Sequence, residues 1–165
     1  MKRRTWWIGV VIMMAMATLI VVNKKKEEKL HVGDVVTGIE LPTLDGEVWE
    51  VEKTRGKVTV LNFFATWCKP CEEELPELEA FHKDYNQANI FIISKGEPKS
   101  WVQQFVAKHQ SSLPFLLDVD EKVAKRFQIV GQPETVIIDQ NGIMREKIVG
   151  PVTKQVLIEK IEAIR

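Results

Sequence analysis

Residues 57–65, KVTVLNFFA, constrain the fold more than any other stretch of this chain. The run is almost uninterruptedly apolar, the pattern of a strand covered on both faces and lying inside a sheet. Directly after it, the apolar positions switch from continuous to a spacing of three and four, the signature of a helix over residues 71–85. A buried strand that feeds straight into a helix is the opening of an α/β unit. The remaining segments extend it. Residues 37–51 read as a β-hairpin around Asp45-Gly46, and residues 88–94 and 113–118 read as further buried strands. Residues 134–150 form a second hairpin across Asn141-Gly142. Helical spacing recurs at 98–109, weakly at 121–127, and at 153–164, where Leu157, Ile158, Ile161 and Ile164 make one stripe. The expected architecture is an α/β sandwich, with parallel strands joined by crossover helices and the last hairpin adding antiparallel edge strands.

Both cysteines of the chain, Cys68 and Cys71, fall at the strand-to-helix junction. That position has chemical consequences. The first turn of a helix presents unpaired N–H groups and the positive end of its dipole, which stabilise a thiolate at Cys68. Cys71, one turn in, is placed to attack a mixed disulfide formed at Cys68. Other uses of the pair fit less well. A structural disulfide across so short a loop contributes only about 2 kcal/mol through chain entropy. A zinc site needs four ligands, whereas His31, His82 and His109 are scattered. A c-type haem site needs a histidine where Glu72 stands. A redox-active dithiol, needing no added cofactor, is the favoured reading.

Three glutamates follow the pair. At roughly 100° per residue, Leu75, Leu78, Phe81, His82 and Tyr85 share the face of Cys71. Glu74 falls within that stripe, Glu73 on the opposite side and Glu72 at its margin. Glu74 is therefore expected to be partly buried near the cysteines, with a raised pKa and a part in proton transfer. The competing reading is that all three acids are a solvated helix start favoured by the dipole. His82 is expected in the core, and Pro76 is expected to kink the helix. Farther along, Pro133 stands immediately before an apolar strand and suits a turn with a fixed peptide bond, for which cis is the minority outcome on sequence alone. Glu134 opens that strand and is within reach of the same pocket, an exposed strand-end acid being the alternative.

The N-terminus has a different character. Residues 1–5 are basic, residues 6–22 run 17 positions without a charge, and residues 23–30 form a charged tether ahead of a domain over 31–165. The apolar run is long enough for a single-pass membrane anchor with snorkelling flanks and interfacial Trp6 and Trp7. A cleaved signal at Ala15-Met16-Ala17 competes, but the apolar run continues past it. Either reading places the domain outside the cytoplasm, although the basic residues on the two flanks do not themselves fix the orientation. Excluding residues 1–23, the chain carries 20 basic and 23 acidic residues. Nothing in that balance calls for nucleic acid.

The residues NFFATWCKPC, EEELPELEAF and GQPETVIID together resemble the thioredoxin fold, and more narrowly the membrane-anchored, extracytoplasmic TlpA/ResA/DsbE-like proteins. The resemblance spans about residues 31–165 and implies a thioredoxin-like α/β domain, with a central mixed sheet flanked by helices and an N-terminal β-hairpin extension. It implies that Cys68, after Trp67, is the exposed nucleophile and that Cys71 resolves. Pro133 would be cis and lie against the disulfide, with the backbone of Gln132 free to pair with substrate. Glu74 matches a glutamate near the thiols in the ResA-type branch, and Glu134 matches the DsbE branch. There are departures. Asn62 replaces the buried aspartate of cytoplasmic thioredoxins, which makes Glu74 the better candidate for proton transfer. Lys69-Pro70 replaces Gly-Pro and leaves the redox potential open. The implied activity is reduction of disulfides in exported proteins, such as apocytochrome c during its maturation or spore envelope proteins, with electrons from a membrane thiol carrier. Two alternatives compete. A peroxiredoxin-type thiol peroxidase would want Thr or Ser where Ala65 stands. A copper-binding chaperone would need His82 near the sulfurs.

Overall fold

A computed structural model describes residues 28–164. The anchor expected at 6–22, the basic residues before it and most of the tether lie outside the described residues. Among the described residues no helix is long and apolar enough to cross a membrane.

Among the described residues, seven strands and four α-helices follow one another in nearly the expected order. The first hairpin consists of β1 (Glu40–Pro42) and β2 (Val48–Glu50), paired antiparallel with Leu41 opposite Trp49. Gly46 makes its turn at φ 93°, a conformation that only glycine adopts without strain. A short 3-10 turn then leads to β3 (Val58–Phe64), every residue of which is buried. Then come α1 (Lys69–Asp84), β4 (Ala88–Lys95), α2 (Lys99–His109), β5 (Phe115–Asp118) and the brief α3 (Lys122–Arg126). The chain closes with β6 (Glu134–Ile138), β7 (Met144–Val149) and α4 (Lys154–Glu162).

The central sheet has the order β5-β4-β3-β6-β7. β3, β4 and β5 run parallel, β6 is antiparallel to β3, and β7 is antiparallel to β6. This refines the sequence expectation of two antiparallel edge strands. Of these two, β7 alone lies at an edge, opposite β5; β6 is bracketed on both sides, which its wholly buried ETVII sequence requires.

The two faces of the sheet are covered differently. One face packs against α1, α2 and α4, where Leu75, Leu78, Phe81, Val102, Phe105, Leu157 and Ile161 meet Val58, Val60, Ile90 and Ile92. The other is closed by Ile39, Leu41, Trp49 and Val51 of the first hairpin region, with Val123, Ala124 and Phe127 from around α3. The hairpin thus substitutes for a covering helix. Its Thr43 bridges Leu116 of β5, and Trp49 packs on Phe91 at 4.8 Å between ring centres.

One consequence of strand direction organises everything below. Parallel strands β3 and β4 end at the same edge of the sheet, and antiparallel β6 begins there, with Phe63 opposite Glu134. The loops after β3 and β4 and before β6 therefore gather at one end, the usual place for a site in an open α/β sheet.

Candidate functional site

The first loop of that end carries the cysteines. β3 runs through Phe64 into the turn Ala65-Thr66-Trp67, and the N–H of Cys68 donates to the Ala65 carbonyl at 3.1 Å. Cys68 caps α1: its backbone is extended, and its sulfur accepts the N–H of Cys71 at 3.3 Å. Pro70 fits the first helical turn because the N–H it lacks would have no helical partner there. Cys68 and Cys71 are joined in a disulfide. Every group at this helix start that donates a hydrogen bond to sulfur would favour a thiolate there once the disulfide is opened.

Cys68 is less open than the resemblance implied. In the disulfide form it is 5% exposed and Cys71 3%, and both belong to the core of that face. Trp67, by contrast, is 70% exposed beside it. Lys69 projects into solvent and forms loose ion pairs with Glu72 at 3.5 Å and Glu73 at 3.8 Å, contacts of little energetic weight.

The three glutamates divide as the helical phase predicted. Glu73 is exposed and Glu72 half-buried, the latter held well below the usual carboxylate range by its hydrogen bond and attraction to Lys108. Glu74 is buried between helix and sheet. Its Oε1 accepts from Asn62 Nδ2 at 2.9 Å, and its Oε2 accepts from the Val152 N–H at 2.9 Å. Burial pushes its pKa up; the bonds from Val152 and Asn62 offset only part of that push. No cation is among these partners. Three residues apart on the same helix, Cys71 and Glu74 share the buried face.

His82 does not lie in the core. It is exposed, while Phe81 and Tyr85 are buried. The buried stripe drifts around α1 beyond Pro76, which cannot donate to the carbonyl of Glu72, so a phase counted from Cys71 fails by the third turn.

The second loop at this end supplies a residue that the sequence reading missed. Glu97, just after β4, is buried, and its carboxylate accepts the Thr66 N–H at 2.9 Å, the Thr66 hydroxyl at 2.6 Å and the Ser94 hydroxyl at 3.0 Å. It ties the loop before Trp67 to the end of the neighbouring strand. The signal available was an acid at the end of a parallel strand, next to a glycine, at the edge of the sheet where the cysteines lie.

The third loop carries Gln132 and Pro133. Their peptide bond is cis, Pro133 is buried, and the Pro133 carbonyl accepts the Gly150 N–H at 2.9 Å. That bond draws in the segment leading to Val152, so the proline loop and the partner of Glu74 are neighbours. Glu134 is not the exposed acid allowed for above: it is fully buried. Its Oε1 accepts the N–H groups of Val130 at 2.8 Å and Gly131 at 2.7 Å, and its Oε2 pairs with Lys147 at 2.9 Å. Glu134 thus folds the loop ahead of Pro133 onto the sheet.

A shallow cavity of about 240 Å³ opens beside Glu74, between Pro70, Glu73 and Glu77 of α1 and the segment Pro151, Val152 and Thr153. On the other flank of the cysteine loop, Thr66, Trp101, Gln104, Phe105 and Lys108 line a second depression of about 320 Å³.

Comparison with known proteins agrees with this geometry. A family model described as the AhpC/TSA family matches residues 32–147. The thiol-disulfide oxidoreductase ResA of Geobacillus thermodenitrificans is 32% identical over 81% of this chain and 78% of its own. The thioredoxin-like protein YneN of Bacillus subtilis is 28% identical over 96% of this chain and 98% of its own. Among solved structures, MTB DsbF superposes with a TM-score of 0.71 at 25% identity, covering 77% of this chain and 95% of that one. StoA of Bacillus subtilis superposes at 0.68 and 23% identity, over 76% of this chain and 98% of that one, a likeness of fold. With a disulfide-bonded pair at the start of α1, this chain belongs to the AhpC/TSA family of thioredoxin-like proteins, among its thiol–disulfide oxidoreductases of the ResA type.

Proposed function

We propose that this thiol–disulfide oxidoreductase works as a reductant of disulfides in exported proteins, held at the outer face of the cell membrane by the apolar segment at residues 6–22. The observation that carries the reading is the pairing of the helix-capping Cys68–Cys71 disulfide with a buried carboxylate, Glu74, on the same helix face. In the reduced protein, the Cys68 thiolate attacks one sulfur of a substrate disulfide. A Cys68–substrate bond forms, and the other substrate sulfur leaves as a thiolate that takes up a proton. Cys71 then gives its proton to the Glu74 carboxylate and attacks the Cys68 sulfur. The Cys68–Cys71 bond forms, the Cys68–substrate bond breaks, and Glu74 returns the proton to the departing substrate sulfur. Two electrons and two protons have passed to the substrate, and the chain is left in the disulfide state. A membrane thiol carrier would restore the dithiol.

Trp67 and the Gln132-Pro133 loop frame the position a substrate segment would take, and the exposed indole offers it an apolar contact. Apocytochrome c cysteines and spore envelope proteins are the substrate classes that the ResA-type relationship puts forward. A peroxidase reading gains nothing from Ala65, which stands three residues before Cys68, is fully buried and has no hydroxyl.

The reading is tested by the reduction potential of the Cys68–Cys71 couple, equilibrated against a defined dithiol buffer. A reductant is expected at roughly −200 to −270 mV; a value near −120 mV would instead make the protein an oxidant. A Cys71→Ser chain, retaining Cys68, should accumulate covalent adducts with exported proteins that carry disulfides.

A further inference from the structure

Asn62 lies at the middle of the buried network around Glu74, and one of its atoms is anomalous. It is 1% exposed on β3. Its Nδ2 donates both hydrogens, one to Glu74 Oε1 at 2.9 Å and one to Thr135 Oγ1 on β6 at 3.1 Å. Its Oδ1 is buried with no hydrogen-bond partner. A buried carbonyl oxygen left unpaired is costly, and where one persists it calls for an explanation.

The arrangement is matched to a charged Glu74. A carboxylate only accepts, and here it receives two N–H groups, from Asn62 and Val152. A proton on Oε1 would bring the Glu74 O–H against the N–H of Asn62, donor against donor. Thr135 is the other half of the device, because a hydroxyl both accepts and donates.

We propose that Asn62 is a reversible positioning residue for Glu74: its side-chain amide turns over by half a rotation each time Glu74 gains or loses a proton. In the observed orientation, Nδ2 serves two acceptors, Glu74 and Thr135. In the reversed orientation, Oδ1 uses its two lone pairs to accept from two donors, the Glu74 O–H and the Thr135 hydroxyl. One amide atom is unpaired in each orientation, Oδ1 in the first and Nδ2 in the second, so the hydrogen-bond count is balanced between the two protonation states. The Val152 N–H continues to face Oε2 in both. An aspartate at this position would itself be charged and could not donate to the Glu74 carboxylate; a leucine could do neither. The proposal rests on the reading of Glu74 as the carrier of the Cys71 proton, to which it adds the means by which a buried carboxyl changes protonation without losing its partners.

The other titratable groups near Glu74 are few. Cys71 precedes it on the buried face of α1, and Glu73 and Glu77 line the same cavity. Glu77 accepts the backbone N–H of Lys154 at 2.9 Å, and the Lys154 ammonium is held by Asp84 at 2.7 Å. Neither Asn62 on β3 nor Thr135 on β6 titrates.

The test uses the full disulfide-bonded chain, in which neither cysteine titrates. With glutamate carboxyl carbons and asparagine side-chain nitrogens isotopically labelled, NMR follows Glu74 and Asn62 through one pH titration. The two signals are expected to move with a common midpoint, and the Asn62 signal should become independent of pH in Glu74→Gln. An Asn62 signal that is flat through the Glu74 titration makes Asn62 a fixed donor and overturns the proposal. So does an Asn62 signal that still titrates in Glu74→Gln, since it would be following another group. As a kinetic arm, Asn62→Leu should slow disulfide reduction on the order of tenfold, the size of effect expected from losing a hydrogen bond to a charged group. Asn62→Ser and Asn62→Thr, whose hydroxyls can either donate or accept, should recover part of that loss; recovery by neither also counts against the proposal. The underlying reading fails separately, if Glu74→Gln leaves the pH profile of thiol alkylation in the reduced protein unchanged while the NMR titrations remain coupled.

Discussion

Glu74 and Asp139 stand at opposite ends of the sheet, one beside α1 and the other just after β6, and are closed to solvent to almost the same degree, 4% and 3% exposed. Their ionisation is nonetheless driven in opposite directions. Burial pushes both carboxyls up. At Glu74 the push prevails, because the cover is helix and sheet and the donors to it among the described residues are one amide and one backbone N–H. At Asp139 it is outweighed. The N–H groups of Ile143 and Asn141 each donate at 2.9 Å, and the Arg145 guanidinium, 42% exposed, closes on the outer oxygen at 2.7 Å. The cover over Asp139 is a turn built of donors, with a cation reaching in from the surface. Equal exposure does not fix how a carboxylate ionises in this protein: Glu74 is the more deeply enclosed and has two donors, whereas Asp139 lies nearer the surface among backbone donors and a cation.

The largest expected effect breaks the turn. Asp139→Ala leaves two N–H groups and a guanidinium without their acceptor and should destabilise the chain by about 2–3 kcal/mol, read from the urea midpoint. Glu74→Gln, which keeps an acceptor for Val152 and removes a buried charge, should cost under about 1 kcal/mol at neutral pH. If the two substitutions cost the same, the contrast drawn above is wrong.

The second expectation separates the two groups by pH. The folded value of Glu74 lies above its unfolded value of about 4.3. Its contribution is therefore fully present below about pH 4 and is lost as pH rises through the folded value. The folded value of Asp139 lies below its unfolded value of about 3.9, so its contribution is present above that pH and lost on acidification. The stability of the native chain relative to Glu74→Gln should fall with rising pH above about 4. Relative to Asp139→Asn it should fall with decreasing pH below about 4. Neither slope can exceed about 1.4 kcal/mol per pH unit for a single proton. Urea melts of the three proteins from pH 3 to 8 measure both, and parallel curves would refute the assignment.

This contrast also marks how far the sequence could be read. The buried strand, the helix start with its two cysteines and the position of Glu74 were all legible, because each rests on local periodicity or on a helix terminus. The turn at Asp139 was legible as a hairpin through Asn141-Gly142: Gly142 has φ 80°, and a side chain there would collide with the Arg55 guanidinium. The carboxylates whose partners come from distant segments were not. Glu97 holds Thr66 across 31 positions, and Glu134 reaches back to a loop and across to Lys147. His82 failed for a related reason, since its exposure depends on how α1 rotates past Pro76 against a sheet that one helix's phase does not contain. The recognition roles proposed for Trp67, Gln132 and Pro133 concern a complex with substrate, and the fold alone does not write them.

The third expectation moves the comparison from stability to chemistry. In the reduced protein, alkylation rate against pH reports the thiolate fraction. Glu74→Gln should displace that curve, because the group proposed to exchange a proton with Cys71 has been replaced by one that cannot. Asp139→Asn, at the far end of the sheet, should leave it in place. A displacement of equal size in both would mean that the thiols respond to overall stability or net charge.

The smallest expected effect asks whether surface charge reaches Glu74 at all. Lys69 stands next to Cys68, 70% exposed, and its ammonium faces Glu72 and Glu73 on the solvent side of α1. Glu74 points the other way, into Asn62 and Val152. Water and salt screen an exposed ammonium strongly, within about 8 Å at physiological ionic strength. Lys69→Ala should therefore leave the Glu74 titration where it is, in 20 mM and in 500 mM salt alike, while raising the value of Glu72 slightly at low salt. A salt-dependent shift of Glu74 in that variant would show that its carboxyl senses the outer face of the helix. The buried partners would then not be the whole account of its ionisation, and the comparison with Asp139 would have to include the charge on each group's surface side.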